Sequence, residues 1–149
     1  MIIQAHMVGF SEYAYDDPVF IDKINDAATV VADSIDCSDI YISGTSIVFY
    51  IDSSEEFDYD LIASELGLSF GEHGNLYDPE FKASPLNVSN WTEYVDHQIE
   101  EVYKWTSKLD TEVDEDELYG RLLFKEETVD GSVEWQKLIV RPKSLIGRV

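Results

Sequence analysis

Residues 39–52 constrain the fold more than any other stretch. Two alternating runs, Asp39–Ser43 and Ser46–Asp52, flank Gly44-Thr45, and a glycine in the first of two loop positions suits a type II′ hairpin turn. That register sets Ile40 against Phe49 and Ile42 against Ile47, with Tyr41, Val48 and Tyr50 on the second face. A hairpin that is apolar on both faces belongs at the centre of a sheet, where both sides are covered.

The neighbouring stretches supply the partners. Residues 1–10 read as a strand, with Ile3, Ala5 and Met7 alternating against Gln4 and His6. A helix follows, with Asp17 as N-cap and Pro18 at its first position, where the missing N–H costs nothing. Phe20, Ile21, Ile24, Ala27, Ala28, Val31 and Ile35 form its apolar face, and Asp22, Asp26 and Asp33 lie on the other side. After the hairpin, Ser53-Ser54-Glu55-Glu56 has the pattern of a capping box. It predicts a second helix to about Leu66, with Phe57, Leu61 and Ile62 inward, Gly67 just past its end, and a short edge strand at Leu68–Phe70. The order β-α-β-β-α resembles the split ferredoxin-like arrangement. Residues 71–89, with Gly71, Gly74, Pro79 and Pro85, read as irregular and as the seam between this βαββα unit and a C-terminal helix-hairpin unit.

The C-terminal unit begins with a helix from Trp91 to about Leu109, capped by Asn90 with Glu93 at the third position. Trp91, Val95, Ile99, Val102 and Leu109 form one stripe, and Glu93, Asp96 and Glu100 another. A connector over 110–117 then holds six acids in eight residues. Asp130-Gly131 signals a type I′ hairpin between arms Arg121–Val129 and Ser132–Arg141. Its register opposes Leu122 to Ile139, Leu123 to Leu138, Glu126 to Trp135 and Glu127 to Glu134, so the polar tip should project. The fold class expected is α+β, a single domain over 1–149 with an antiparallel sheet, a long acidic helix and a C-terminal β-hairpin.

Charge narrows the functional classes. The chain has 31 acids against 10 lysines and arginines, for a net charge of −21. The last 29 residues carry +2, so the first 120 carry −23. A hydrophobic content of 44% and aromatic content of 13% exclude wholesale disorder despite that charge. A field this negative repels phosphates, which argues against direct nucleic-acid binding and against an anionic membrane surface. No basic-then-apolar leader stands at the N-terminus, and no apolar run nears the roughly 20 residues of a span, so a cytoplasmic setting is expected. The single cysteine, Cys37, excludes an intrachain disulfide and reads as an inert, partly buried thiol.

Catalytic signatures are lacking. His97 has Glu93 and Glu101 at four-residue spacing but no matching Glu-x-x-His segments. An EF-hand reading of Asp110, Glu112 and Asp114 fails, with Glu115 where glycine is needed and Arg121 where the bidentate glutamate belongs. There is no Gly-x-Ser-x-Gly, no P-loop and no Gly-x-Gly-x-x-Gly. The sequence therefore predicts no enzyme, no metal and no cofactor.

What remains is an acidic protein inhibitor of the DNA-mimic type, as in phage counter-defence, anti-restriction and anti-CRISPR proteins, acting by protein–protein interaction. Helical carboxylates three or four residues apart lie about 5–6 Å from one another, comparable to the phosphate step along a strand. Glu93, Asp96, Glu100, Glu112, Asp114, Glu115, Asp116 and Glu117 would form one row, and Asp22, Asp26 and Asp33 a second. The partner would be a basic nucleic-acid-binding protein: a nuclease, CRISPR effector, repair or transcription protein. An immunity or antitoxin protein covering a basic toxin predicts the same charge. An acidic cytoplasmic enzyme or salt-adapted domain is the third reading. Sequence leaves the oligomeric state open, a homodimer included.

Overall fold

A computed structural model of the chain describes residues 1–8, 18–52, 56–71, 79–88, 90–106 and 120–139. Among these the elements are β1 (Ile2–Met7), α1 (Pro18–Ser34), β2 (Asp39–Ser43), β3 (Ser46–Tyr50), α2 (Tyr59–Phe70), β4 (Phe81–Leu86), α3 (Trp91–Thr106), β5 (Arg121–Glu127) and β6 (Val133–Ile139). The strands form one antiparallel sheet in the order β4-β1-β3-β2-β5-β6. The α+β class expected from sequence holds, and the first four strands complete the split β-α-β-β-α-β order.

The β2–β3 hairpin sits at the centre, with Ile40 opposite Phe49 and Ile42 opposite Ile47 as its alternation requires. Gly44 has φ 57, while Asp36 is the one described non-glycine residue with positive φ, so the turn is type II′. Helix α1 buries Phe20, Ile21, Ile24, Ala27, Ala28, Val31 and Ala32. With α2 it covers one face of the sheet around Ile3, Ala5, Ile40, Ile42, Ile47 and Phe49.

Helix α2 starts later than the capping-box pattern predicts. Asp58 caps it, its carboxylate accepting from the Leu61 N–H at 3.2 Å. Residues 53–55 lie outside the described residues. The later start turns Leu61 outward and leaves Ile62 and Leu66 buried. Gly67 does not end the helix, which runs on through Phe70, so Leu68–Phe70 is no strand. The glycine is instead a place of close approach: a Cβ there would lie 2.7 Å from the Pro79 carbonyl oxygen. Phe70 then packs edge-on between Phe20 and Phe81, at 5.3 and 6.2 Å.

The edge strand β4 runs through the stretch that sequence reads as irregular. Pro85 opposes Ile3 within it, and an edge strand tolerates proline because one row of its N–H groups faces no partner. On the opposite flank the β5–β6 register is one residue away from the expected one. Leu122 opposes Leu138, Lys125 opposes Trp135 and Glu126 opposes Glu134. The Thr128 N–H donates to the Ser132 carbonyl, which leaves a three-residue loop with Gly131 at φ 87 rather than a two-residue type I′ turn. The Asp130 carboxylate accepts from the Thr128 hydroxyl and from the Ser132 N–H and hydroxyl, and these bonds hold its pKa down to about 2. The slip brings Lys125 beside Trp135. The ammonium lies 5.1 Å from the ring centroid and 3.5 Å from Asp33 of α1, which also accepts from the Trp135 indole N–H at 3.1 Å.

Helix α3 lies on the other face of the sheet. Asn90 caps it, accepting from the Glu93 N–H at 3.2 Å, and Val95 is buried with Ile2, Tyr41 and Val48. Of the expected stripe, Trp91 and Val95 pack as predicted. No helix among the described residues is long and apolar enough to cross a membrane.

Candidate functional site

Strand alternation gives the sheet two unlike faces. Ile3, Ala5, Ile40, Ile42, Ile47 and Phe49 point toward α1 and α2 and are wholly buried. Their neighbours in sequence point the other way. Register lines those neighbours up in two rows. Lys82 of β4 pairs with His6 of β1, His6 with Ser46 of β3, and Ser46 with Ser43 of β2. Behind them Ser84, Gln4, Val48 and Tyr41 form a second row, which Leu122 of β5 continues. With neighbouring strands about 4.8 Å apart, four strands span roughly 14 Å. In a chain of net charge −21, these two rows display a lysine, a histidine, hydroxyls and an amide, and no carboxylate.

Helix α3 roofs part of this platform. Tyr94 and Gln98 stand over Gln4, Tyr41, Ser43, Ser46 and Val48 and enclose a cavity of about 100 Å³. Trp91 is stacked between Tyr50, at 5.4 Å, and Tyr94, at 6.0 Å, which fixes the first turns of the helix against the strands. Tyr41, on the cavity floor, is only 2% exposed, and its hydroxyl has no hydrogen-bond partner. Burial pushes its pKa up to about 12; the Ser43 hydroxyl lies close enough to oppose that rise without meeting hydrogen-bond geometry. The phenol is therefore a neutral group that can both donate and accept. Burial also raises the pKa of Tyr94. Gly120, at φ 84, backs the Tyr41 ring: a Cβ there would lie 2.4 Å from the hydroxyl oxygen.

Larger grooves lie elsewhere among the described residues, two of them with clear linings. One of about 600 Å³ runs between α2 and β4 and is lined by Asp60, Ser64, Glu80 and Lys82 among others. Another of about 510 Å³ lies at the C-terminal end of α1 and includes Asp36, Asp39, Asp52 and Lys125. Carboxylates outnumber cations in both. Cys37 borders the second, but it is buried and donates to the Asp39 and Tyr50 carbonyls at 3.0 Å. Burial pushes its pKa up to about 12, so it is an inert thiol.

Of the two acidic rows expected from sequence, the described members lie on opposite sides of the sheet. Asp22 and Asp26 are exposed on α1, on one side of the sheet. Glu93, Asp96 and Glu100 are exposed on α3, on the other. Glu112, Asp114, Glu115, Asp116 and Glu117 lie outside the described residues. Sequence reasoning missed Gln4, His6, Ser43, Ser46, Lys82 and Gln98, and placed Tyr41 on a merely apolar face. The signal was present as polar residues alternating with core positions, yet only the register shows that they adjoin.

By sequence the chain matches no family model and no curated protein. By structure it is similar to a bacterial tRNA(His) guanylyltransferase (Thg1)-like protein in complex with GTP, with a TM-score of 0.68 at 12% identity over 99% of this chain and 85% of that one. The same kind of protein in complex with ATP gives a TM-score of 0.70 at 14% identity, over 99% of this chain and 86% of that one. At such identities the likeness is one of fold.

That fold overturns the reading as a DNA-mimic inhibitor, and the immunity or antitoxin reading with it. Both rested on net charge, which governs solubility and association rather than fold. The expectations tied to them fall too: a chain that is not an enzyme, an anti-CRISPR or anti-restriction role, a basic protein or toxin as partner, and no direct contact with nucleic acid. The chain instead shares its architecture with enzymes that hold purine nucleoside triphosphates.

Transfer chemistry on triphosphates uses divalent cations held by carboxylates. The platform offers hydroxyl, amide, imidazole and ammonium groups instead. Among the described residues no three His, Cys, Asp or Glu side chains gather as a metal-ligand set. The donor set of the platform does not fit such a cation.

Proposed function

We propose that this chain handles purine nucleotides, binding one on the sheet face that carries α3. The observation behind this reading is the carboxylate-free platform. In a chain this acidic, Lys82, His6, Ser46 and Ser43 form one row across four strands, beside a cavity with a buried, unpartnered tyrosine hydroxyl. The likeness in fold to proteins that hold GTP and ATP supports it. In this reading the nucleoside enters beside Tyr41, Gln4 and Gln98, and the phosphates lie toward His6 and Lys82. We place the protein in the cytoplasm, where nucleotides are abundant and a lone buried thiol such as Cys37 stays reduced.

Trp91 is stacked directly on Tyr94, so its fluorescence reports occupancy of the cavity. Titration with GTP and ATP in the presence of Mg²⁺ should give a saturable change with one of them. A second arm incubates the protein with labelled GTP and RNA and looks for guanylyl transfer to an RNA end, the activity named for the proteins it resembles. Failure of both nucleotides to bind, by fluorescence and by calorimetry, sinks the reading.

A further inference from the structure

We infer that the pocket beside Tyr41 recognises the uncharged nucleoside part of the ligand, and that phosphates oppose binding when no divalent cation accompanies them. This rests on the nucleotide reading above and names the part of the ligand the site selects.

Three observations lead here. The first is the donor set. Gln4, Tyr41, Ser43, Ser46 and Gln98 contribute two amides and three hydroxyls, all uncharged, and Tyr94 adds an aromatic face. Amides and hydroxyls that donate and accept at once match sugar hydroxyls and base edges, not a polyanion. The second is the orphaned Tyr41 hydroxyl. A buried hydroxyl left without a partner is unfavourable; this one is covered, against Gly120 behind the cavity floor, so a ligand gains affinity from it only where its entry shifts the ring enough to reach the oxygen. The cavity of about 100 Å³ is large enough to hold ordered water, which a sugar or base edge would replace. The third is the field. The domain carries −21, and Lys82 is the one lysine or arginine in the two platform rows. Each phosphate added to the ligand adds negative charge that the rest of the domain repels. Neither of the larger grooves combines these features, since Asp60 and Glu80 line one and Asp36, Asp39 and Asp52 the other.

The test is calorimetry on the full chain in EDTA at low salt, with guanosine, adenosine, their 5′-monophosphates and their triphosphates. For the preferred base, affinity should fall from nucleoside to triphosphate by roughly tenfold or more, the reverse of a cationic phosphate site. Raising the salt to about 0.5 M should narrow that gap to roughly threefold or less, because repulsion is screened. Tyr41→Phe should weaken nucleoside binding about fivefold or more, through loss of the one hydroxyl the ligand must satisfy. Asp22→Asn, on the opposite side of the sheet, should leave it unchanged. Tighter binding of the triphosphate than of the nucleoside in EDTA overturns the inference, as does unaltered nucleoside binding by Tyr41→Phe. If triphosphates bind only with Mg²⁺ and nucleosides do not bind at all, nucleotide handling stands and the inference falls. If nothing binds with or without Mg²⁺, both fall.

Discussion

The two faces of the central hairpin are made by the same strands and do different work. Toward α1 and α2 the strands present Ile40, Ile42, Ile47 and Phe49, wholly buried in a continuous apolar core. Toward α3 they present Tyr41, Ser43, Ser46 and Val48, which line a polar cavity. One residue along the chain separates a side chain that stabilises the fold from one that faces the site. Substitutions on the two faces should therefore separate: large losses of stability with the site chemistry untouched on one, small changes of stability with altered binding on the other.

The largest effect is expected on the core face. Phe49 is fully buried at the centre of the sheet, so Phe49→Ala should cost about 3–5 kcal/mol, through lost burial and the cavity left behind. Urea denaturation followed by far-UV circular dichroism measures it. On the other face of the same strand, Ser46→Ala should fall within about 0.5 kcal/mol, as partly exposed polar sites do. Equal costs for the two variants would break the comparison.

Core and site were unequally legible in the sequence, for physical reasons. The central hairpin was readable because alternation and a glycine in the first turn position agree on one register. Helix α1 was readable because its apolar positions recur on one face. Strand β4 was hidden by Pro79, two residues before it, and by Pro85 within it; both read as breakers, although an edge strand tolerates Pro85. Gly67 read as a helix end, whereas its missing Cβ serves the approach of the Pro79 carbonyl. The β5–β6 register slipped because Asp130-Gly131 signals a two-residue loop, while the Thr128–Asp130–Ser132 hydrogen bonds close a three-residue one. The site was hidden for a different reason. Gln4, His6, Ser43 and Ser46 each look like a solvated strand position, and Lys82 stood in the stretch without assigned structure. Their adjacency exists only across strands, so charge, the loudest signal in the chain, dominated the functional reading.

An intermediate effect should appear where backbone and site meet. Gly120 has φ 84, and a Cβ there would lie 2.4 Å from the Tyr41 hydroxyl. Gly120→Ala should cost about 1–3 kcal/mol, from the left-handed backbone and from displacement of the ring. It should also alter the cavity, because Tyr41 must move into it or away from it. The expected result is loss of stability together with a change in Trp91 fluorescence, which Phe49→Ala does not produce while the protein remains folded. A neutral Gly120→Ala would mean that Tyr41 is not held from behind, and the cavity floor would be less defined than the geometry indicates.

A small effect on stability, and the sharpest contrast in sign with Phe49, is expected at Tyr41 itself. Both aromatic side chains are almost wholly buried on the central hairpin. Tyr41→Phe removes one hydroxyl that is buried and has no hydrogen-bond partner. Removal of an unsatisfied buried polar group leaves stability unchanged or raises it by up to about 1 kcal/mol, because the folded state no longer bears its desolvation. The core-face argument allows no such outcome, since every atom deleted there was making favourable contacts. A loss of more than about 1 kcal/mol in urea denaturation would mean that the hydroxyl has a partner in solution, an ordered water or Ser43 drawn into bonding geometry. The α3 face would then be a satisfied structural network like any other, and the strongest reason to regard it as open to a ligand would be gone.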